Sequence, residues 1–318
     1  MKKETKRANS TIFWLLIMIV LLLIIAFGIT LLTKNTETSA GSNNIEASDN
    51  NSESIAESET YETEPSAEPE TEPLAELNIY DSEIYSDTAL LINLNGEILY
   101  SKNGSKQIYP ASLTKIMTVI AALENINYLD ESVVIPGDIF DYLSSEGAST
   151  AGFSAYESVT YRDLLYGALL SSGAECCLTL SAYLGGSEEM YVQMMNEKAA
   201  ELEMNNTHFT NSIGLHNYNH YSTAEDIAKL LIYALDNEEF REIFTSQSYY
   251  TETDYQPYGI TLSSTMFSEL DSEYFTGGVF LGGKTGYTSE AGNCLASLAR
   301  VNGKEYILIT TGAESSDY

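Results

Sequence analysis

The sequence predicts an α/β fold of the α+β kind: one sheet assembled from strands at both ends of a single domain, flanked by helices, with an all-helical stretch between. Three observations predict it. A hairpin pattern occupies residues 89–100, helical periodicity recurs between 113 and 235, and after Leu281 the apolar spacing becomes that of successive strands. The domain is expected to cover 79–318, so a long N-terminal region of different character precedes it.

Residues 1–10 hold Lys2, Lys3, Lys6 and Arg7 against one acid, Glu4, and an uncharged run then extends from 12 to 32. At ~1.5 Å per residue that run spans roughly 30 Å, the thickness of a bilayer's hydrocarbon core, which predicts a transmembrane helix over 12–33. The basic tail, 1–11, is expected in the cytoplasm. Everything after the helix would then lie outside, held to the cell membrane by a single pass. A cleaved signal peptide is the rival, with Thr38-Ser39-Ala40 as a faint cleavage site. The apolar run, however, exceeds the ~7–15 residues of a signal core. Residues 34–78 are rich in Ser, Thr, Asn and Pro and, after Lys34, carry twelve acids and no base. Such a segment buries too little apolar surface to offset its ordering entropy, so a disordered acidic linker is predicted.

Within the domain, 89–94 and 97–100 flank Asn95-Gly96, the signature of a tight hairpin. Pro110 ends an extended segment. Leu113, Ile116, Met117, Ile120 and Ala121 then recur at helical spacing, predicting a mostly buried helix with Ser112 in its first turn. A second stripe, Leu164, Leu165, Ala168 and Leu169, breaks at Ser171-Ser172-Gly173 and resumes at Cys176, Leu178 and Leu180. Amphipathic stretches cover 188–202 and 223–235, the latter opened by Ser222-Thr223-Ala224-Glu225 as a capping box. Lys284-Thr285-Gly286, 294–299 and 306–309 read as strands, the last two joined through Asn302-Gly303.

Chemistry concentrates in Pro110-Ala111-Ser112-Leu113-Thr114-Lys115. Residues three apart on a helix share a face, so Ser112 and Lys115 can meet as nucleophile and base. A serine hydroxyl is a poor nucleophile near neutral pH and needs a neutral amine to take its proton. The start of a helix favours whatever oxyanion forms. Lys284-Thr285-Gly286 is the second element. On an edge strand beside the serine, Lys284 would offer a cation and Thr285 a hydroxyl to a carboxylate, and Gly286 would leave room for a peptide along the strand. Lys284 would also lower the pKa of Lys115 by like-charge repulsion.

Other residues narrow the function. A formal net charge of −31 argues against nucleic acid as a partner, since phosphates would be repelled. His216 and His220 sit among Asn217, Tyr218 and Asn219 without an adjacent carboxylate, which reads as a polar surface loop; no metal or other cofactor is expected. Cys176, Cys177 and Cys294 read as small buried apolar residues, not as a disulfide framework.

Ser-x-x-Lys at 112–115, Ser172-Gly173 and Lys284-Thr285-Gly286, in that order, resemble the penicillin-recognising serine hydrolases. Among them the chain is most similar to the D-alanyl-D-alanine carboxypeptidases, the low-molecular-mass penicillin-binding proteins. Asn211-Ser212-Ile213-Gly214-Leu215, His220-Tyr221-Ser222-Thr223-Ala224-Glu225-Asp226 and Gly283-Lys284-Thr285-Gly286-Tyr287-Thr288 match that family's habits. The resemblance implies a β-lactamase/transpeptidase-like fold with an antiparallel sheet. It implies Ser112 as the nucleophile that attacks between two terminal D-alanines of a peptidoglycan stem peptide, Lys115 as its base, and Ser172 as a proton relay. Lys284 and Thr285, with Gly286 on the same strand, would receive the terminal carboxylate, and the backbone N–H groups of Ser112 and Tyr287 would hold the oxyanion. β-Lactams would acylate Ser112 as inhibitors.

Two departures qualify that implication. The family's second motif usually ends in Asn, where this chain has Ala174, and losing one amide contact to substrate costs ~1–3 kcal/mol. Family members also usually continue, past the position of Tyr318, with a helix packed on the sheet. The alternative function is a non-catalytic peptidoglycan-binding or β-lactam-sensing homologue. A β-lactamase is a third and less favoured reading.

Overall fold

The computed structural model describes residues 79–314. The predicted cytoplasmic tail, transmembrane helix and acidic linker lie outside the described residues. Among the described residues no helix is long and apolar enough to cross a membrane.

The first two strands, β1 (Thr88–Asn93) and β2 (Ile98–Lys102), form the expected antiparallel hairpin. Asn93 closes it: its Oδ1 accepts the amides of Asn95 and Glu97, both at 3.0 Å, while Gly96 turns the chain at φ 83°. A 3-10 turn, Ala111–Leu113, leads into α1 (Thr114–Leu123), whose residues from Thr114 to Ala122 are all buried. Ser112 therefore lies in this turn and not in the first turn of the α-helix, as the periodicity had suggested.

The helical part follows. A two-stranded ribbon, β3 (Ser132–Val134) with β4 (Ser158–Thr160), encloses α2 (Ile139–Glu146) in sequence. Thr160 caps α3 (Tyr161–Leu169): its hydroxyl accepts the Asp163 amide at 3.1 Å, and the Asp163 carboxylate accepts the Thr160 amide at 2.7 Å. The chain breaks at Ser171-Ser172-Gly173, with Ser172 at φ 58°, and resumes as α4 (Ala174–Leu180) and α5 (Glu188–Glu201). Next come α6 (Ala224–Leu235) and α7 (Glu238–Phe244). The cap of α6 differs from expectation by one residue. Thr223, not Ser222, accepts the Asp226 amide at 3.0 Å, and Ser222 bonds Thr207 instead.

After the ribbon β5 (Ser248–Thr251) and β6 (Ile260–Ser263) and the short α8 (Thr265–Glu269), the chain returns to the main sheet. It does so through β7 (Tyr274–Phe275), β8 (Gly278–Thr288), β9 (Gly292–Val301) and β10 (Lys304–Ala313). The order is β2-β1-β10-β9-β8-β7, antiparallel throughout, so the two ends of the domain meet where β1 pairs β10. Asn302 and Gly303, at φ 50° and 79°, make the tight turn between the last two strands. The face formed by Leu90, Ile92, Ala296, Leu298, Ile307 and Ile309 is buried, and α6 packs on β1 and β10. Leu113, Ile116, Met117 and Ile120 fill the layer beneath, each at 1% exposure or less. Burying each such side chain contributes about 1.5–3 kcal/mol, so α1 is a fixed floor on which the serine turn rests.

β7 reaches only Gly278 and Val279 of β8. The Lys284-Thr285-Gly286 portion pairs with Ala296, Leu295 and Cys294 of β9 on one side and, among the described residues, has no strand on the other. That open edge is where the serine turn packs.

Candidate active site

The serine turn is tight and strained. Ala111 has φ 47°, a left-handed conformation that costs a residue with a β-carbon about 1–3 kcal/mol. Neighbouring backbones hold it there, and two glycines let them come close. A β-carbon on Gly214, itself at φ 84°, would overlap the Ala111 carbonyl oxygen and stand 3.1 Å from the Ser112 nitrogen. One on Gly286 would stand 2.9 Å from the same nitrogen. Thus β8 and the loop around Gly214 both press on the backbone of Ser112.

Lys115 lies one helical step from the serine, with Nζ 3.0 Å from Ser112 Oγ. Its amine also donates to the Ile213 carbonyl at 2.6 Å. Asn211 shapes the loop that presents this carbonyl: its Oδ1 accepts the amides of Gly214 at 2.7 Å and Leu215 at 3.0 Å. Thr118 of α1 fastens the same loop by donating to the Ser212 carbonyl at 2.6 Å, and Glu188 accepts both the amide and the hydroxyl of Ser212 at 3.0 Å. Only 2% of Lys115 is exposed, and burial pushes its amine below the ordinary lysine value. A neutral amine in this position donates to Ile213 and has a lone pair free to accept the Ser112 proton.

Lys284 departs from the expected open cation. It is fully buried, and its amine donates to the carbonyl of its neighbour Thr285 at 2.7 Å. Burial first, and then Lys115, push its pKa well below the usual value. Burial also dominates at Lys115, where the sequence suggested repulsion from Lys284 as the cause. Thr285 is half-buried and shares a 2.6 Å hydrogen bond with the hydroxyl of Thr265, whose own amide is held by Leu170 O at 3.0 Å.

Ser172 is buried in the break between α3 and α4, at 6% exposure. The Gly173 amide donates to Gly167 O at 2.9 Å and the Ala174 amide to Ser149 O at 2.8 Å, which fixes the strained φ of the serine. Ser172 makes no side-chain hydrogen bond to Ser112 or Lys115 among the described residues. Ala174, Ser112 and Lys115 together line a cleft of about 420 Å³. Its other walls are residues 146–149, 213–216 and 287–290, with Tyr287 two-thirds exposed at the mouth.

The histidines do not form the surface loop that the sequence suggested. His216 is half-buried on the cleft wall, its ring edge-on to Tyr109 with centroids 4.6 Å apart. His220 is 2% exposed, and burial lowers its pKa to about 4, so it is neutral. The Thr210 amide donates to its Nδ1 at 3.1 Å. Nε2 therefore carries the proton and donates to Thr114 Oγ1 at 2.8 Å, bracing the residue beside Lys115. The three cysteines are buried and free, and burial pushes the Cys177 thiol up to about 12, where it is uncharged. Among the described residues no group of His, Cys, Asp or Glu is placed to hold a metal ion.

The roles of Asn211, His220 and Thr265 and the carbonyl of Ile213 were not foreseen from the sequence. The strings around 211–215 and 220–226 marked two of these places, but only as a resemblance without an assigned task.

Comparison with known proteins identifies the family. The family model for D-alanyl-D-alanine carboxypeptidase, peptidase family S11, matches residues 74–315. The Bacillus subtilis D-alanyl-D-alanine carboxypeptidase DacF is 32% identical over 233 residues, 72% of this chain and 57% of the relative. A Streptomyces D-alanyl-D-alanine carboxypeptidase is 33% identical over 229 residues, 68% of this chain and 76% of the relative. The chain thus spans little more than half the length of the Bacillus relative. Among solved structures, a Streptomyces DD-transpeptidase superposes with a TM-score of 0.64 at 29% identity, covering 73% of this chain and 91% of that one. A Mycobacterium tuberculosis D-alanyl-D-alanine carboxypeptidase gives 0.64 at 25%, covering 78% and 89%. With a serine and a buried lysine 3.0 Å apart against a glycine-bearing edge strand, on this fold and with these relatives, the chain belongs to the serine D-alanyl-D-alanine carboxypeptidase family, peptidase family S11.

Proposed function

We propose that the protein is a membrane-anchored serine D-Ala-D-Ala carboxypeptidase that removes the terminal D-alanine from peptidoglycan stem peptides and is acylated by β-lactams. The observation that carries this reading is the 3.0 Å separation of Lys115 Nζ and Ser112 Oγ inside the cleft. Ser112 Oγ attacks the carbonyl between the two D-alanines while its proton passes to Lys115. The amide N–H groups of Ser112 and Tyr287 receive the oxyanion. The C–N bond then breaks, the leaving amine takes the proton by way of Ser172, and free D-alanine departs. Water attacks the remaining ester, with Lys115 again taking the proton, and Ser112 is regenerated. Lys284 and Thr285 bind the terminal carboxylate, for which the Lys284 amine exchanges the Thr285 carbonyl. The apolar run at 12–32 supports a single membrane pass with this domain outside the cytoplasm.

The test is release of free D-alanine from a D-Ala-D-Ala pentapeptide by the detergent-solubilised full chain, alongside labelling by a fluorescent penicillin. Ser112→Ala should abolish both. Normal labelling of that variant would rule the mechanism out. Ala174, an apolar residue on the cleft wall, favours a second reading as a non-catalytic β-lactam-sensing homologue. Acylation of the native protein without any release of D-alanine would select that one.

A further inference from the structure

Ala174 leaves the cleft without a side-chain hydrogen-bonding group at the position where the family resemblance implies an asparagine. Its backbone brings a substitute close. The Ala174 amide donates to the Ser149 carbonyl at 2.8 Å, so the segment between α2 and β4 lies directly against the start of α4, and Ser149 and Ala174 line the cleft together with Ser112 and Lys115. That segment is firmly held. Glu175, fully buried, accepts the amides of Ala151 at 2.7 Å and Gly152 at 3.0 Å through one oxygen, which staples the chain just past Ser149 to the first turn of α4. Ser149 is exposed, and its hydroxyl makes no hydrogen bond to any of the described residues. Of its neighbours on this wall, Gly147 and Ala148 have no polar side-chain group to offer, and Glu146 offers a carboxylate, which when ionised accepts but does not donate.

We propose that the Ser149 hydroxyl makes the polar contact to the bound peptide that Ala174 cannot, so that the second motif of this chain is divided between two elements. The proposal rests on reading the site as a D-Ala-D-Ala peptidase. A hydroxyl both donates and accepts, so it can pair either half of a peptide amide that would otherwise be left without a partner on this wall of the cleft. The staple through Glu175 supports the contact, because it fixes the backbone next to Ser149 before substrate arrives.

The test compares the full chain with Ser149→Ala and Ser149→Thr, measuring kcat/KM for D-alanine release from a pentapeptide and the second-order rate of acylation by a fluorescent penicillin. Ser149→Ala should lose about tenfold or more in both rates with an unchanged melting temperature, while Ser149→Thr, which keeps the hydroxyl, stays within about threefold of the native protein. Rates for Ser149→Ala within twofold of native would overturn the proposal. So would equal losses in the two variants, which would mean that wall packing and not the hydroxyl matters. Should the native chain be acylated without releasing D-alanine, the hydrolase reading fails while the acylation rates still decide the role of Ser149. Absence of both reactions in the native chain defeats the two together.

Discussion

Gly286 lies so close to the backbone of Ser112 that a β-carbon on it would stand 2.9 Å from the serine nitrogen and 3.3 Å from Ala111 Cβ. A strand edge and the serine turn are thereby in direct backbone contact, and the geometry of one sets the geometry of the other. Gly286→Ala is expected to push β8 away from the turn. Because a displacement of about 1 Å near the chemistry can cost on the order of a hundredfold, kcat/KM for D-alanine release should fall by that order. The melting temperature should fall by only a few degrees, since β8 keeps its pairing with β9. Activity within threefold of native would mean that the strand tolerates a shift without moving Ser112.

The lowered pKa of Lys115 has a definite sign in catalysis. As the proposed base the amine works in its free form, so activity is lost as pH falls through the folded-state pKa, and burial puts that loss below the ordinary lysine value of 10.5. The acylation rate plotted against pH should therefore show an acid limb below 10.5, and a limb at the ordinary lysine value would contradict the burial argument. Lys115→Arg replaces the base with a permanently charged group and is expected to lower acylation by roughly 10²–10⁴-fold.

The parts of this site that were legible in the sequence are those that side chains announce. Ser112, Lys115, the break at Ser171-Ser172-Gly173 and the strand of Lys284-Thr285-Gly286 carry distinctive residue types at fixed spacing. The apolar periodicity was sufficient for the hairpin, the helices and the closing strands. The contact that holds Lys115, the Ile213 carbonyl, is a backbone atom, and a carbonyl has no signature in the sequence. His220 looked like a surface residue because its sequence neighbours Asn217, Tyr218 and Asn219 are exposed, whereas its burial comes from Thr114 and Phe209, distant along the chain. The burial of Lys284 was likewise invisible, since a lysine on an edge strand reads as solvated until the serine turn covers that edge.

His220 predicts an acid-sensitive component of stability. Its folded pKa is about 4, against 6.5 in the unfolded chain. As pH falls through that window the unfolded chain takes up a proton that the folded chain refuses, so the stability present above pH 6.5 is lost progressively, on the order of 3 kcal/mol by the lower end. Urea midpoints at pH 7 and pH 4.5 should differ less in His220→Gln than in the native protein. Equal differences would assign the acid lability to other groups.

Glu175 separates an acceptor from a charge. One of its oxygens accepts two amides, at 2.7 and 3.0 Å; the other, also buried, has no partner among the described residues, and burial raises the carboxyl pKa. Glu175→Gln keeps an oxygen for the two amides and removes the costly charge, so it should unfold within a few degrees of the native protein. Glu175→Ala strands both amides, each at roughly 1–3 kcal/mol, and opens a cavity beside Gly173, so its melting temperature should drop well below that of Glu175→Gln. Because the stapled segment carries Ser149 into the cleft, Glu175→Ala should also slow acylation at temperatures where it remains folded, and Glu175→Gln should not. Parallel thermal melts and acylation rates on the two variants check this. Comparable losses in both would mean that the carboxylate charge, and not the accepting oxygen, holds the wall of the cleft in place.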